Sequence, residues 1–538
     1  MLAYKSQTCQ RSFPVISSKQ ALFTLVNSSF QTEGEKMKTQ KLFRIIIPSF
    51  PEVNIYSRPA RFTTALGPIM VATAANLTTD WQVEVIDENN YRGHRFLGLP
   101  DHSFLQKERP ASAVGFYCGL TSTIERVWEL AKFYRNQGAF TVAGGWHAFN
   151  FPKEQLEHDI HVVVHGEGEG AIGKILDVFS GREVSLFEIP GISFLDKKHP
   201  VIAKGRLEFP NLDNLPFPDF GLLKYAKVKI YPIGRIRGCS KLCEFCSVRG
   251  KSRWQSPEYL FNLVSLLNSA RGAKKFFLVD DRMEEDFEGT FRFFEMVREK
   301  FNNSLRINVQ TRLETAKKPE FLELMKEAGV SSVFVGYESP ETEDLKAMKK
   351  GYSSSKMVEW TKILRKYFWV HGMFIFGYPK KGGNKSQKNG KERAKIFSRF
   401  IRKAGLDSVQ VLHPIPLPGT ELRARLEEEG RIFPLSVVPW KKYDGNTACF
   451  IPDDMTVREF QELPIRIMRG FYGFSSFFRL CLRTVLFPFD YFLRGWSVWH
   501  SAWKRDFVRY FGHRLVVAWQ KKQKEERFVE KLEDYLKK

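Results

Sequence analysis

Apolar strand-like runs alternate with amphipathic helical stretches through two successive parts of the chain, which predicts an α/β protein. Three observations carry the prediction. Five short apolar runs between residues 42 and 164 are separated by helical stretches, as in a doubly wound, Rossmann-like sheet. Six more follow at even spacing between 230 and 412, as in a partial (β/α)6 barrel of the TIM type, and from Pro464 onward the chain reads as helical, aromatic and basic. At 538 residues the chain is too long for one ordinary domain. The expected division is an extension at 1–40, a first domain at 41–180, a connector at 181–228, a barrel at 229–425, and a lid with a helical region at 426–538.

The first thirty-six residues scatter charges among short apolar pieces, without a continuous apolar core or a small-residue cleavage site, so no signal peptide is expected. Met37 stands just before the first strand and is a candidate start, which makes the preceding stretch disordered or spurious. Leu42 to Ile47 is the first strand, Thr63 to Thr73 opens a helix, and Gln82 to Asp87 is the second strand. Ala113 to Tyr117, Phe140 to Ala143 and Ile160 to Val164 are the third to fifth, with a helix at Ile124 to Asn136.

Ligands of such sheets bind beyond the carboxyl ends of the strands. Three loops stand out there: Thr121-Ser122-Thr123, placed to cap the helix that follows; Gly144-Gly145-Trp146-His147; and Gly166-Glu167-Gly168-Glu169-Gly170. The last is not a dinucleotide fingerprint, because it follows a late strand and its carboxylates would repel a pyrophosphate. His147 reads either as a cofactor contact or as a hydrogen-bonded structural histidine.

A turn-rich connector ends at the proline-marked stretch Asn211 to Asp219. The barrel strands are then expected at Ile230 to Ile236, Lys275 to Val279, Arg306 to Val309, Ser332 to Val335, Gly372 to Phe376 and Ser408 to Leu412, with helices such as Pro257 to Ser269 and Lys318 to Ala328 between them. Barrel chemistry collects at strand ends. Those ends carry Asp280 and Asp281, Gln310 and Arg312, Glu338 and Ser339, Gly377-Tyr378-Pro379, and His413-Pro414.

Within the first barrel unit, Cys239, Cys243 and Cys246 are spaced as Cys-x3-Cys-x2-Cys. Three thiolates leave one iron of a four-iron cluster without a protein ligand, open to a substrate. A closed zinc site needs a fourth Cys or His, and after Cys246 the next candidates are the distant His371 and Cys449. Only seven cysteines occur in the chain, which argues for a reducing compartment. A net charge of +23 invites a nucleic-acid reading. Basic residues spread over solvated faces, with a basic tail, account for the same charge without a nucleic-acid partner.

With Phe245 just before the third cysteine and an apolar strand from Lys229 running into Gly238, this loop resembles the cluster loop of the radical S-adenosylmethionine (SAM) superfamily. The resemblance implies a 4Fe–4S cluster on Cys239, Cys243 and Cys246, whose open iron chelates SAM and whose electron releases a 5′-deoxyadenosyl radical. It implies SAM contacts from Phe245, from Asp280 or Asp281 to the methionyl ammonium, from Gln310 and Gly377, from Arg312 to the carboxylate, and from Glu338 to the ribose. The succession from Gly115 through Thr121, Ser122 and Thr123, then Gly144, Gly145 and His147, then Gly166, Glu167 and Gly168, resembles the cobalamin-binding domain of one large branch of that superfamily. The Asp-x-His-x-x-Gly cobalt-ligand motif is missing, with Pro48-Ser49-Phe50-Pro51 in its place. The barrel exit from Leu412 to Leu422 resembles that branch too, whereas a Lys- and Gly-rich loop within 380–395 departs from it.

The implied function is cobalamin-dependent methylation of an unactivated carbon, with an external electron donor such as flavodoxin or ferredoxin, in the cytoplasm. Non-methylating cyclisation, rearrangement or oxidoreduction is the alternative within the superfamily, and a basic, zinc-stabilised nucleic-acid-binding protein is the alternative outside it. Trp440 to Met455 reads as a lid. The aromatic, Arg-rich helices beyond it hold no apolar run of membrane-spanning length, and either pack on the barrel or lie on an anionic membrane surface at the inner face. Lys521 to Lys538 reads as a solvated helix.

Overall fold

The computed structural model describes residues 41–538 apart from 52–56, 183–184, 198, 249, 352–353 and 381–387. The expectations for residues 1–40 and for the 381–387 part of the Lys-rich loop therefore lie outside the described residues.

The first sheet consists of β1 (Leu42–Ile47), β2 (Gln82–Asp87), β3 (Ala113–Tyr117), β4 (Phe140–Gly144), β5 (Val162–Val164), β6 (Ile192–Asp196) and β7 (His199–Val201), in the order β2-β1-β3-β4-β5-β6-β7. Strands β1 to β5 run parallel. Every residue of β1 is buried, as a near-continuous apolar run in a sheet covered on both faces requires. Its one charge, Arg44, is matched on the neighbouring strand by Glu84 at 2.7 Å and further held by the Tyr134 hydroxyl at 3.0 Å. The order reverses between β1 and β3, so their carboxyl ends flank the crevice where such sheets bind ligands.

Strands β6 and β7 fall in the stretch read as connector. They form an antiparallel hairpin that extends the first sheet, with Val162 opposite Phe194 and Val164 opposite Ile192. Ile192 and Phe194 are buried, and the hairpin covers what would otherwise be an exposed edge of β5.

The second sheet is all parallel: β8 (Tyr231–Ile233), β9 (Lys275–Leu278), β10 (Arg306–Thr311), β11 (Val330–Glu338), β12 (Trp369–Ile375) and β13 (Ser408–Leu412), in sequence order. This is the six-strand partial barrel. One expected strand is split: β8 stops before Gly234, and Ile236–Arg237 leaves the barrel to pair antiparallel with Arg253–Trp254. That pair is the neck of the loop carrying the three cysteines.

The carboxyl-terminal region supports the barrel from outside. The helix Val457–Phe471 begins with a capping box between Thr456 and Glu459, and Tyr472 beyond it hydrogen bonds to both the amide (2.8 Å) and the carbonyl (2.5 Å) of Val409 in β13. The helix Trp496–Glu525, about 45 Å long at 1.5 Å per residue, runs along β13. Arg505 meets Asp407 at 2.9 Å, just before β13; Val516 and Trp519 are buried in the core; Gln523 reaches the Asn446 carbonyl and Glu526 pairs with Lys442. These helices pack on the barrel, whereas Phe474 to Val498 leaves many large apolar side chains in solvent.

Candidate active site

The neck of the cysteine loop is built by carboxylates that follow β9. Asp280 accepts hydrogen bonds from the backbone amides of Arg235 (2.6 Å) and Ile236 (2.9 Å), and Asp281 from that of Gly238 (2.7 Å). Glu285 accepts from the Ser240 amide (3.0 Å), the Ser240 hydroxyl (2.8 Å), the Ser252 hydroxyl (2.7 Å) and Arg282 (2.7 Å). Against the burial that pushes it up, the hydrogen bonds from Ser252 and Ser240 and the charge of Arg282 hold Glu285 at about 2. It stays ionised and grips both limbs of the loop. Arg235, fully buried, donates to the Gln255 carbonyl and pairs with Asp286.

The far side of the loop is clasped by Glu244, which lies between the second and third cysteines and is almost fully buried. Arg425, on the helix Glu421–Glu428, reaches its two oxygens at 2.9 and 3.2 Å, and the Tyr378 hydroxyl donates to it at 2.6 Å. Phe245 packs edge-on to the ring of Tyr378.

Cys239, Cys243 and Cys246 are thiols on this clamped loop. Burial, with repulsion from Cys243 and Cys239 added to it, pushes Cys246 up to about 11, although the Val248 amide pulls the other way; burial also raises Cys239. A cation bound among them relieves both costs, so the donor set fits an iron–sulfur cluster. Among the described residues no group of three His, Cys, Asp or Glu side chains is already drawn together as a metal site. The two distant candidates for a fourth zinc ligand are engaged elsewhere: His371 with the Ser408 hydroxyl at 2.8 Å, and the buried Cys449 with the Thr447 carbonyl.

The other residues expected to hold SAM divide. Asp280 and Asp281 serve the neck amides, so their first role is to shape the loop. Glu338 stands at the end of β11 in left-handed backbone (φ 59°), where the register with β12 shifts, and pairs with Lys350 at 2.6 Å. Arg312 pairs with Glu314 at 2.7 Å and donates to the Lys350 carbonyl at 3.3 Å. Lys350, which sequence reasoning missed, thus joins Glu338 to Arg312, and its charge acts on Cys246. Gln310 is exposed on β10. Gly377 has φ 76°, and a Cβ there would lie 2.5 Å from the ring of Phe460.

A cavity of about 770 Å³ lies between the two domains. Gly144, Gly145, Gly166, Glu167 and Gly168 line one wall; Gly234, Arg237, Gly238 and Ser247 line the other. Gly145 has φ 122°, and a Cβ there would fall 2.6 Å from the Gly119 amide nitrogen. Arg237 pairs with Glu167 and with Glu169, each at 2.8 Å, and Arg253 pairs with Glu167. Glu167 is therefore a strut between the walls rather than a free cofactor contact.

Thr121, Ser122, Thr123 and His147 do not line this cavity. Thr121–Thr123 wind into a 3-10 turn, and no side chain caps the helix Ile124–Asn136; the Thr123 hydroxyl donates to the Leu120 carbonyl instead. His147 is fully buried, 3.1 Å from Glu154 and 3.3 Å from the Thr121 hydroxyl, with its ring edge-on to Trp440. The Trp440 indole donates to Glu154 at 2.8 Å, and the Trp146 indole to the Pro418 carbonyl at 2.7 Å. These four residues belong to the seam that docks the first domain onto the later chain.

Two changes test the clamps. Arg425→Leu leaves the Glu244 carboxylate buried without its cation, a loss of about 3–5 kcal/mol; the unfolding midpoint and the iron retained after reconstitution should fall together, and Arg425→Lys should recover part of both. Burial pushes Asp280 up to about 7. Its folded value exceeds its unfolded one, so its contribution to stability is complete below the unfolded value, about 4, and is lost as pH rises through 7. Asp280→Asn keeps an acceptor for the two amides and removes the titration. Its unfolding midpoint should exceed that of the parent at pH 8.5, with the gap narrowing at pH 5; a gap independent of pH contradicts this.

Comparisons with known proteins agree with this geometry. Residues 233–383 match the Radical SAM superfamily. A protein of Pyrococcus horikoshii named as an uncharacterized methyltransferase, PH0819, is 26% identical over 344 residues, 60% of this chain and 72% of that one. Bacteriochlorophyllide d C-12(1)-methyltransferase of Chlorobaculum tepidum is 24% identical over 367 residues, 66% of this chain and 74% of that one. The structure of the radical SAM methyltransferase TsrM from Kitasatospora setae, with cobalamin and a 4Fe–4S cluster bound, superposes with a TM-score of 0.58 at 17% identity, over 73% of this chain and 75% of that one, and so shares the fold. The chain carries a radical SAM domain, whose cofactors are a 4Fe–4S cluster and SAM, joined to an amino-terminal doubly wound domain.

Proposed function

We propose that the chain is a radical SAM methyltransferase that uses cobalamin to methylate an unactivated carbon. The observation that carries this reading is the shared cavity of about 770 Å³. One wall is the glycine-lined strand ends of the first domain and the other is the neck of the cysteine loop, so a group held by one domain faces a group held by the other. The two methyltransferase relatives support methyl transfer as the outcome.

When bound, the cluster supplies the electron that cleaves SAM, and cobalamin supplies the methyl group. The residues of this chain bind, orient and exclude water. Cys239, Cys243 and Cys246 hold the cluster, and Glu285 and Glu244 fix their loop from either side. Arg312 and Lys350 already carry the carboxylates of Glu314 and Glu338 at 2.7 and 2.6 Å. An incoming methionyl carboxylate would reproduce that contact. Gly144, Gly145, Gly166 and Gly168 let the backbone of the first domain approach a large planar cofactor, and Arg237 and Arg253 hold the two walls together through Glu167 and Glu169. Flavodoxin or ferredoxin, as the external donor on the cytoplasmic side, would meet the exposed turn at Lys241 and Leu242, next to Cys243.

The test is anaerobic turnover with SAM carrying a deuterated methyl group. The parent protein should release 5′-deoxyadenosine and pass the label to an acceptor, while Cys239→Ala should lose SAM cleavage by at least about a hundredfold and still bind cobalamin. Cleavage retained in Cys239→Ala removes the cluster assignment. Cleavage without label transfer to any acceptor leaves the non-methylating alternative.

A further inference from the structure

The segment from Phe474 to Val498 is amphipathic in the inverted sense. On the helix Ser475–Val485, Arg479 and Arg483 turn inward to the buried Asp506 of the long helix, at 3.1 and 2.7 Å. The indoles of Trp499 and Trp503 bond to the Arg483 carbonyl and the Thr484 hydroxyl. Phe474, Phe478, Leu482 and Val485, spaced to share one face of the helix, turn outward, with Phe478 64% exposed. The helix Phe487–Arg494 follows, and on it Phe489, Phe492 and Leu493 are 71%, 84% and 82% exposed. Tyr491 is exposed as well, roughly 200° around the helix from Phe489 at 100° per residue.

A helix bare over this much of its circumference does not suit a flat protein interface, which covers one face. Immersion in an apolar layer covers every side at once. The charge agrees: between 471 and 514 the chain carries seven Arg and Lys against two Asp, and the exposed Arg514 lies on the adjoining helix. Among the described residues no helix is long and apolar enough to cross a membrane. We propose that the two helices spanning Ser475–Arg494 seat the protein on an anionic phospholipid surface, with their apolar side chains at the acyl boundary and the basic residues at the headgroups.

This segment is anchored away from the chemistry. Arg505 on Asp407, Lys504 over the ring of Trp369 and Arg509 on the Leu406 carbonyl tie its base to the amino-terminal ends of β12 and β13, opposite the strand ends that carry the site. Seating and SAM cleavage are therefore separable. The experiment is co-sedimentation of the anaerobically prepared full chain with extruded vesicles of phosphatidylcholine alone or with one quarter phosphatidylglycerol, alongside sedimentation velocity without lipid. The parent should bind the anionic vesicles, more weakly at high salt. The triple variant Phe489→Glu, Phe492→Glu, Leu493→Glu should bind at least about tenfold more weakly, with SAM cleavage unchanged. Absence of parent binding to anionic vesicles overturns the proposal. So does a dimer, seen without lipid, that the triple variant dissolves, since the face would then belong to a second copy of the chain.

Discussion

Where β8 leaves the barrel, the backbone amides of Arg235, Ile236 and Gly238 need acceptors, and the carboxylates after β9 supply them. Asp280 takes the amides of Arg235 and Ile236, and Asp281 takes that of Gly238. A buried amide without an acceptor is costly, so these bonds fix the direction in which the chain enters the cysteine loop. Glu285 and Glu244 then grip the loop at opposite sides. Without the neck, the thiols would ride on a loop of some fifteen residues with no fixed orientation toward the first domain.

The same neck sets the relation between the domains. Arg237 and Arg253 are paired with each other by the short antiparallel strands and extend their guanidinium groups to Glu167 and Glu169 of the first domain. Isolated, these charges would be poorly placed at a half-buried wall; together they neutralise one another, and much of the remaining cavity surface is glycine and apolar side chains. A second seam, formed by Trp146, Glu154, His147 and Trp440, joins the first domain to the barrel exit and lid. The long helix Trp496–Glu525 closes the arrangement by bracing the last barrel strand at one end and the lid at the other.

Strands buried on both faces were legible from the chain alone. Leu42–Ile47, Gln82–Asp87, Ala113–Tyr117 and Ser408–Leu412 have the bounds expected of them, each marked by its β-branched and apolar residues. The hairpin at 192–201 was not, because its strands are only five and three residues long and Asp196, Lys197 and Pro200 interrupt the apolar pattern. The break at Gly234 depends on carboxylates some forty-five positions away. Likewise, cysteine spacing marks the loop, but the Glu244 clasp joins residues 181 apart in sequence, and Lys350 sits in a segment with no motif. His147 and Thr121 show a different limit. A polar residue just past a strand end can face the ligand crevice or the layer beneath it, and only the packing of Trp440 decides that these two face the layer beneath.

In the proposed arrangement an iron–sulfur cluster and a corrinoid occupy opposite walls of one cavity. Metal and cofactor analysis of the full chain, reconstituted anaerobically with iron, sulfide and cobalamin, tests it most directly. About four irons and one cobalamin per chain are expected. Zinc without iron would contradict the assignment of the cysteine loop, and four irons without cobalamin would contradict the assignment of the facing wall.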